Sequence, residues 1–470
     1  MTLDPTRTAE PDDDTSSSPP LEHLEPADRR ALYERARRQG ADARALQQLS
    51  FAELAELCAQ ERLDVRAEAS TSASTGAGVH PDASRRDLLF ALHAARCARA
   101  GLGYGGGVLE VLPEGFGFLR DPAHGFAAGP DDVYVSASQI WRLRLRSGHA
   151  IHGPVRAPRR TESYLALLRV EGVDDGPVEA LRARVPFDQR VPVLPTRRLP
   201  LEHPGAPRDA RCVDLLAPWG RGQRVLLLAP PRSGRMQLLA QLAAAAAAAN
   251  PDLSVHVCLV DARPEDVTAT ARAAGATSEL VATTFDQPPA RHLAVVDLAL
   301  QRCQRLCEAG RDVLLLLDSL TTLSRASQRE LPPGGRLLVP GLEPQALLRG
   351  KKVFAAARNL EGGGSLTVIA TAGTGTGAID DAIAAEFRGK GNAELVLDRD
   401  LAALHAPVPI DVAATGTRRE DLLLPPTQRR GLARLRAELL QLEPAARADR
   451  LVALLAQHAD NAALLAAFAG

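Results

Sequence analysis

Short continuous apolar runs alternate with longer helical stretches through the C-terminal half of the chain. "RVLLLAP" (224–230), "VHVCLVDA" (255–262), "DVLLLLDS" (312–319) and "LTVIATA" (366–372) are the right length for strands covered on both faces. Stretches such as "MQLLAQLAAAAAAAN" (236–250) lie between them and predict helices, so this half reads as a parallel α/β sheet. Residues 427–470 read as helices only. Earlier in the chain the pattern differs. "GGGVLEVLPEGFGFLRD" (105–121) and "DDVYVSASQIWRLRLRSGHAIHGPV" (131–155) alternate apolar with polar positions between Gly/Pro turns, the mark of a small antiparallel β-barrel of cold-shock or OB type.

Before the barrel, "ADARALQQLSFAELAELCAQERLDVR" (41–66) and "RRDLLFALHAARCARAG" (85–101) carry apolar residues at helical spacing. The small polar stretch between them reads as a flexible insert near 67–84. These patterns predict five regions: an acidic disordered tail (1–40), a helical subdomain (41–103), the barrel (104–184), a Pro-rich linker (185–210), and an α/β domain with C-terminal helices (211–470). The tail is rich in Pro, Ser and acids over its first 28 residues, too polar to build a core.

Composition adds limits. With 470 residues, 45% of them hydrophobic and 24% charged, the chain can bury several cores. There is no apolar run of about 18 residues, nor a basic-then-apolar N-terminus, so a cytoplasmic protein without a membrane partner is expected. The net charge of −1 argues against a wholly basic coat protein but hides local patches. Six cysteines are scattered through apolar surroundings, and their spacing favours buried reduced thiols over a metal site. Of 56 Lys plus Arg only three are lysine, a usage that by itself favours arginine wherever a cation is needed.

The barrel concentrates candidate chemistry. Aromatics are 3% of the chain, yet Phe116, Phe118, Phe126 and Tyr134 fall within twenty residues. Alternation puts Phe116 and Phe118 on one face, where paired rings would stack bases; the competing reading is that they fill the barrel core. Arg142, Arg144, Arg146, Arg156, Arg159, Arg160 and Arg169 follow, with Glu162 the only acid among them. Such a strip suits the phosphates of a single strand.

The stretch "APPRSGRMQLL" (229–239) stands where a phosphate loop belongs, after an apolar strand and before a helix. Pro230, Pro231, Ser233 and Gly234 can still shape the loop, and Pro231, Arg232, Ser233, Gly234, Arg235 and Met236 are its candidate nucleotide-binding residues. Arg235 stands where the motif has lysine for the β and γ phosphates, and Met236 where it has a hydroxyl for magnesium. Asp318, ending the run "DVLLLLD", is placed as a magnesium-water carboxylate.

From about 104 to 426 the chain resembles the bacterial transcription termination factor Rho family. The stretches that carry the likeness include "GVLEVLPEGFGFLR", "LLAPWGRGQRVLLLAPPRSG", "VDARPEDVT", "TTFDQPPARH", "DVLLLLDSLTTLSRA", "FAAARNLEGGGSLTVIATA", "AEFRGKGNAELVLDR" and "TGTRREDLL". The resemblance implies RecA-like P-loop domains in a hexameric ring, each with a barrel that captures cytosine-rich RNA. It implies ATP and Mg²⁺ as cofactors, the RNA polymerase elongation complex as a partner, and a homo-hexamer or a mixed hexamer with an active Rho. By matching position it implies RNA contacts from Phe116, Phe118, Arg120, Phe126, Glu162 and Tyr164. It further implies metal or water coordination by Asp318, an interface arginine finger at Arg399, and Arg263 at the nucleotide.

The same resemblance exposes departures. The family's catalytic glutamate is Ala262 in "DARPE", and the basic residue of the RNA-gripping loop is missing from "TAGTGTGAIDDA" (371–382). Arginine usage accounts for Arg235 but not for Met236 or Ala262. A lost general base costs about 10²–10⁴-fold in rate, roughly 3–5 kcal/mol of barrier. Two readings follow: an ATP-driven translocase that releases nascent RNA, or a hydrolysis-deficient RNA-binding paralogue or regulatory subunit of a Rho ring.

Overall fold

A computed structural model describes residues 46, 49–63, 65, 83, 85–99, 102–158, 162–174, 176–275, 277–332, 334–404, 406 and 409–470. The tail expected over 1–40, and all but residue 83 of the insert expected near 67–84, lie outside the described residues.

Two helices, α1 (Phe51–Gln60) and α2 (Arg85–Arg99), pack Leu54 and Cys58 against Leu88, Leu89 and Leu92. Ser50 starts α1 with a capping box: its hydroxyl accepts from the Glu53 amide, and the Glu53 carboxylate accepts from the Ser50 amide at 2.7 Å.

The alternating stretch forms β1 (Gly103–Val111), β2 (Gly117–Arg120), β3 (Val133–Val135), the short helix α3 (Ala137–Leu143), β4 (Ala150–Arg156) and β5 (Leu165–Leu167). Pairings run β1-β2-β3-β5-β4, and β4 returns to β1, which closes a five-stranded barrel. Leu109, Leu119, Val133, Val135, Ile151, Val155 and Leu167 fill it. Gly117 lets β2 lie against β1, since a β-carbon there would sit 2.4 Å from the Glu110 carbonyl oxygen.

The C-terminal half is built on parallel strands: β6 (Arg224–Ala229), β7 (Leu253–Ala262), β8 (Ser278–Thr284), β9 (Asp312–Asp318), β10 (Ser365–Gly373) and β11 (Ala393–Val396). Their order is β8-β7-β9-β10-β6-β11, every pair parallel. Helix α4 (Arg235–Ala249) covers one face and α5 (Pro289–Glu308) the other, which is why β6 and β9 are apolar without alternation. The helices α6 (Pro426–Leu440), α7 (Pro444–Gln457) and α8 (Asn461–Ala469) join the α4 side of this core through Leu432, Leu435, Leu454 and Leu464. The α/β class, the barrel and the C-terminal helices therefore stand as the pattern predicted. No single helix among the described residues is long and apolar enough to cross a membrane.

Barrel and sheet share one buried seam. Val108, Phe126 and Ala150 belong to the same apolar cluster as Leu293, Val296 and Leu300 of α5. Around it, Arg302 and Arg184 hold Asp174 at 2.5 Å each, and Glu308 binds Arg305 at 2.8 Å, Arg146 at 2.5 Å and the Phe187 amide at 2.6 Å. Burial pushes the Asp174 carboxyl up, but the Arg302 and Arg184 guanidinium groups outweigh it and hold it below the usual carboxylate range.

Candidate functional site

Parallel strands deliver their C-terminal ends to one edge of a sheet, and ligands of such sheets bind there. At that edge the loop after β6, Asp318 at the end of β9 and Ala262 at the end of β7 come together. Gly234 caps α4 with φ 77° and Arg232 takes φ 63°, so the loop curls in front of the helix N-terminus. Ser233 is buried and donates its hydroxyl to the Pro230 carbonyl at 2.8 Å, bracing that curl. A cavity of about 530 Å³ opens here, lined by Pro231, Arg232, Ser233, Gly234, Arg235 and Met236 together with residues from four other segments. Its size and its ring of amides and guanidinium groups fit a nucleotide's phosphates.

Arg235 does not point at open space. Its Nη2 donates to Asp318 Oδ2 at 3.2 Å and its Nε lies 3.1 Å from Oδ1 in ion-pair contact, while Thr371 donates to Oδ1. Asp318 is 6% exposed and does not line the cavity, because Arg235 covers it. Met236 packs against the apolar core beneath α4. The magnesium site expected at Asp318 is therefore not supported by its donors: both carboxylate oxygens are taken and the neighbouring side chain offers only a thioether, a soft ligand for a hard cation.

Ala262 ends β7 half-buried on the same core, with nothing to offer a water molecule. Arg263, expected at the nucleotide, is exposed at the start of the next helix and lies outside the cavity lining of this chain. Arg399 is exposed at the N-terminus of the short helix after β11, also outside the lining. Both positions are free to face another copy.

The cavity also contains residues that the sequence did not single out. His292 is 3% exposed; its Nδ1 is 2.7 Å from the Thr283 hydroxyl and its Nε2 3.8 Å from Asp261 Oδ1. Burial lowers the imidazole pKa, which keeps the ring neutral near neutral pH. Arg325 bonds Asp380 at 2.6 Å across the opposite wall, beside the loop 371–382 that carries no cation. The only signal for His292 was its place in the stretch "TTFDQPPARH".

On the barrel, Phe116 and Phe118 form an edge-to-face pair with centroids 5.9 Å apart. Tyr134 stands opposite Phe118 across the β2–β3 pairing and lies 5.5 Å from Phe116, while Tyr164 closes on Phe118 at 4.8 Å. None of these rings belongs to the barrel core, so the core-filling reading does not hold for Phe116 and Phe118. Two expected contacts are placed otherwise. Phe126 is 2% exposed in the seam against α5, its carbonyl accepting from Arg291 at 3.0 Å. Arg120 is 8% exposed, paired with Glu110 at 2.7 Å and with Asp132, its guanidinium 5.1 Å from the Phe118 ring centre. It braces the ring instead of presenting charge to solvent. Glu162 binds Arg156 at 2.5 Å, and Arg146 is taken by Glu308, so the basic strip is thinner than the sequence implied. Arg142, Arg144 and Arg169 are exposed; Arg159 and Arg160 lie outside the described residues.

All six cysteines are buried free thiols, and no cluster of three metal-ligating side chains occurs among the described residues. Burial raises the pKa of Cys97 and Cys258 to about 12 each, consistent with structural packing.

Comparison with known proteins finds a matching family for each of the two modules. Residues 105–179 match the model for the Rho termination factor RNA-binding domain. Residues 209–415 match the model for the nucleotide-binding domain of the ATP synthase alpha/beta family. The transcription termination factor Rho of Rhodopirellula baltica is 41% identical over 81% of this chain and 75% of its own length. That of Aquifex aeolicus is 41% identical over 82% and 88%, and that of Haemophilus influenzae 43% identical over 72% and 81%. With an RNA-binding barrel and a nucleotide-binding domain in the same order and at this identity, the chain belongs to the transcription termination factor Rho family.

Proposed function

We propose that this protein is a Rho-type RNA-binding ring subunit that holds single-stranded, cytosine-rich RNA and a nucleotide but hydrolyses ATP very slowly. The observation that carries this is the state of the site: Ala262 stands where the family has its catalytic glutamate, and Arg235 covers Asp318. On the RNA side Phe116, Phe118, Tyr134 and Tyr164 form a stacking surface. Subunits would assemble as a homo-hexamer or mix with an active Rho, with Arg399 and Arg263 facing the neighbouring copy. In either assembly the protein acts in transcription termination at the RNA polymerase elongation complex.

At the nucleotide, the loop amides of 231–236 orient the phosphates and the α4 N-terminus favours their charge. A second reading, ATP-driven translocation with substitute residues, has one observation in its favour: Asp261 and neutral His292 both reach the cavity and together are able to accept a proton from water. RNA-stimulated ATPase activity decides between them. The natural protein is expected to show little turnover, and the triple change Arg235→Lys, Met236→Thr, Ala262→Glu measurable recovery. Robust turnover by the natural chain that is abolished by His292→Gln would establish the second reading.

A further inference from the structure

We propose that this site takes a nucleoside polyphosphate without a divalent cation, the Arg235 guanidinium standing where the metal ion would meet Asp318. The inference rests on the nucleotide-binding reading given above and sharpens it. A divalent cation in such a site needs a hard-oxygen shell, and magnesium requires near-octahedral geometry. The donors here are spent. Asp318 accepts from Arg235 on Oδ2 and from Thr371 on Oδ1, with the Arg235 Nε in ion-pair contact 3.1 Å from Oδ1, and Arg235 lies between it and the cavity. Met236 contributes a thioether already packed on apolar residues. The remaining hydroxyl groups of the wall are also engaged: Thr321 accepts from the Gly373 amide at 2.9 Å, Thr322 pairs with Ser319 at 2.8 Å, and Thr376 donates to Asp380. Asp380 is held by Arg325, which leaves Asp261 as the single lining carboxylate without a cationic partner, since the His292 imidazole beside it is neutral.

Charge balance points the same way. Arg232, Arg235, Arg325 and Arg329 line the cavity, and Asp261, Asp380 and the Asp318 carboxylate held by Arg235 offset three of them, which leaves one positive charge in surplus. That surplus supplies charge that a metal ion otherwise brings to a polyphosphate. Arginine suits the role: it stays charged, its planar fork satisfies a carboxylate side-on, and the edge left over can donate to a phosphate oxygen. Lysine in its place presents a point charge that cannot do both.

The test is equilibrium binding of ATP and of ADP to the full chain by calorimetry, once in EDTA and once in magnesium chloride. The affinities are expected to agree within about threefold, whereas a tenfold loss in EDTA would be worth about 1.4 kcal/mol and would overturn the inference. Arg235→Lys with Met236→Thr is expected to convert the site to magnesium dependence, the two buffers then differing by about tenfold or more. Should that variant fail to fold, the natural chain answers alone: manganese(II) with ADP, followed by paramagnetic resonance, is expected to show no protein-bound manganese, only free manganese released as the protein takes up ADP. A protein-dependent bound-manganese signal would overturn the proposal. Absence of binding in both buffers would sink it together with the nucleotide-binding reading, while binding that requires magnesium would sink it alone.

Discussion

Phe118 and Phe126 lie eight positions apart and carry the same side chain, yet their surroundings give them different work. Phe118 is half-buried beside Tyr134, Tyr164 and the braced Arg120, with a ring available to stack. Phe126 is sealed between barrel and α5. Phe116→Ala with Phe118→Ala is expected to weaken binding of a cytosine-rich oligonucleotide by about 1–3 kcal/mol per stacked base, read by fluorescence anisotropy. Phe126→Ala should leave the affinity of the folded protein nearly unchanged and cost about 3–5 kcal/mol of stability in denaturant unfolding. The reverse pattern would return Phe126 to the RNA surface. Residue identity and spacing revealed the aromatic cluster; they could not tell a stacking ring from a sealed one, because burial depends on what α5 brings from 165 residues away.

At the scale of elements, α5 is the piece that joins the two halves. Its one side feeds the apolar sheet core while Arg291, Arg302 and Glu308 reach the barrel and the segment after it, and Arg305 pairs with Glu308 within the helix. Glu308 has no exposed side-chain surface and satisfies two arginines and one backbone amide. Glu308→Ala leaves Arg305 buried without its partner, and breaking such a pair costs about 3–5 kcal/mol. The expected result is earlier unfolding and protease cleavage between barrel and sheet, with the RNA-stacking surface retained in the isolated barrel. The strands and helices of the sheet were legible in the sequence since burial on both faces writes itself as continuous apolar runs. The docking charges were not, since an isolated Arg or Glu on a helix reads as solvated until a partner from another domain is placed on it.

Across the whole molecule the seam gives a pH dependence. His149, 1% exposed, accepts from the Arg146 amide at 3.0 Å, and burial lowers its pKa to about 3. Folded, it stays neutral down to about pH 3; unfolded, it takes a proton below the ordinary histidine value of about 6.5. The unfolded state thus binds the extra proton between these limits, and stability falls as pH drops through 6.5, by at most about 1.4 kcal/mol per pH unit from this one group. Asp174 acts in the same sense, its depressed carboxyl losing its contribution as pH falls through its folded value. Thermal unfolding followed from pH 7.5 to 5 should show a declining midpoint. His149→Gln should flatten the slope, and an unchanged slope would place the titrating group elsewhere.

The sequence alone determined the class of each module, the position of the phosphate loop, the aromatic cluster and the three exchanged residues at 235, 236 and 262. These are local properties: period, spacing and the chemistry of single side chains. Only the tertiary structure decided that Arg235 lies over Asp318, that His292 and Asp261 border the cavity, and that Phe126 is sealed against α5. Each of those depends on residues far apart in the chain meeting at a strand end or a domain seam, and no local pattern encodes which distant partner will neutralise a charge or cover a ring.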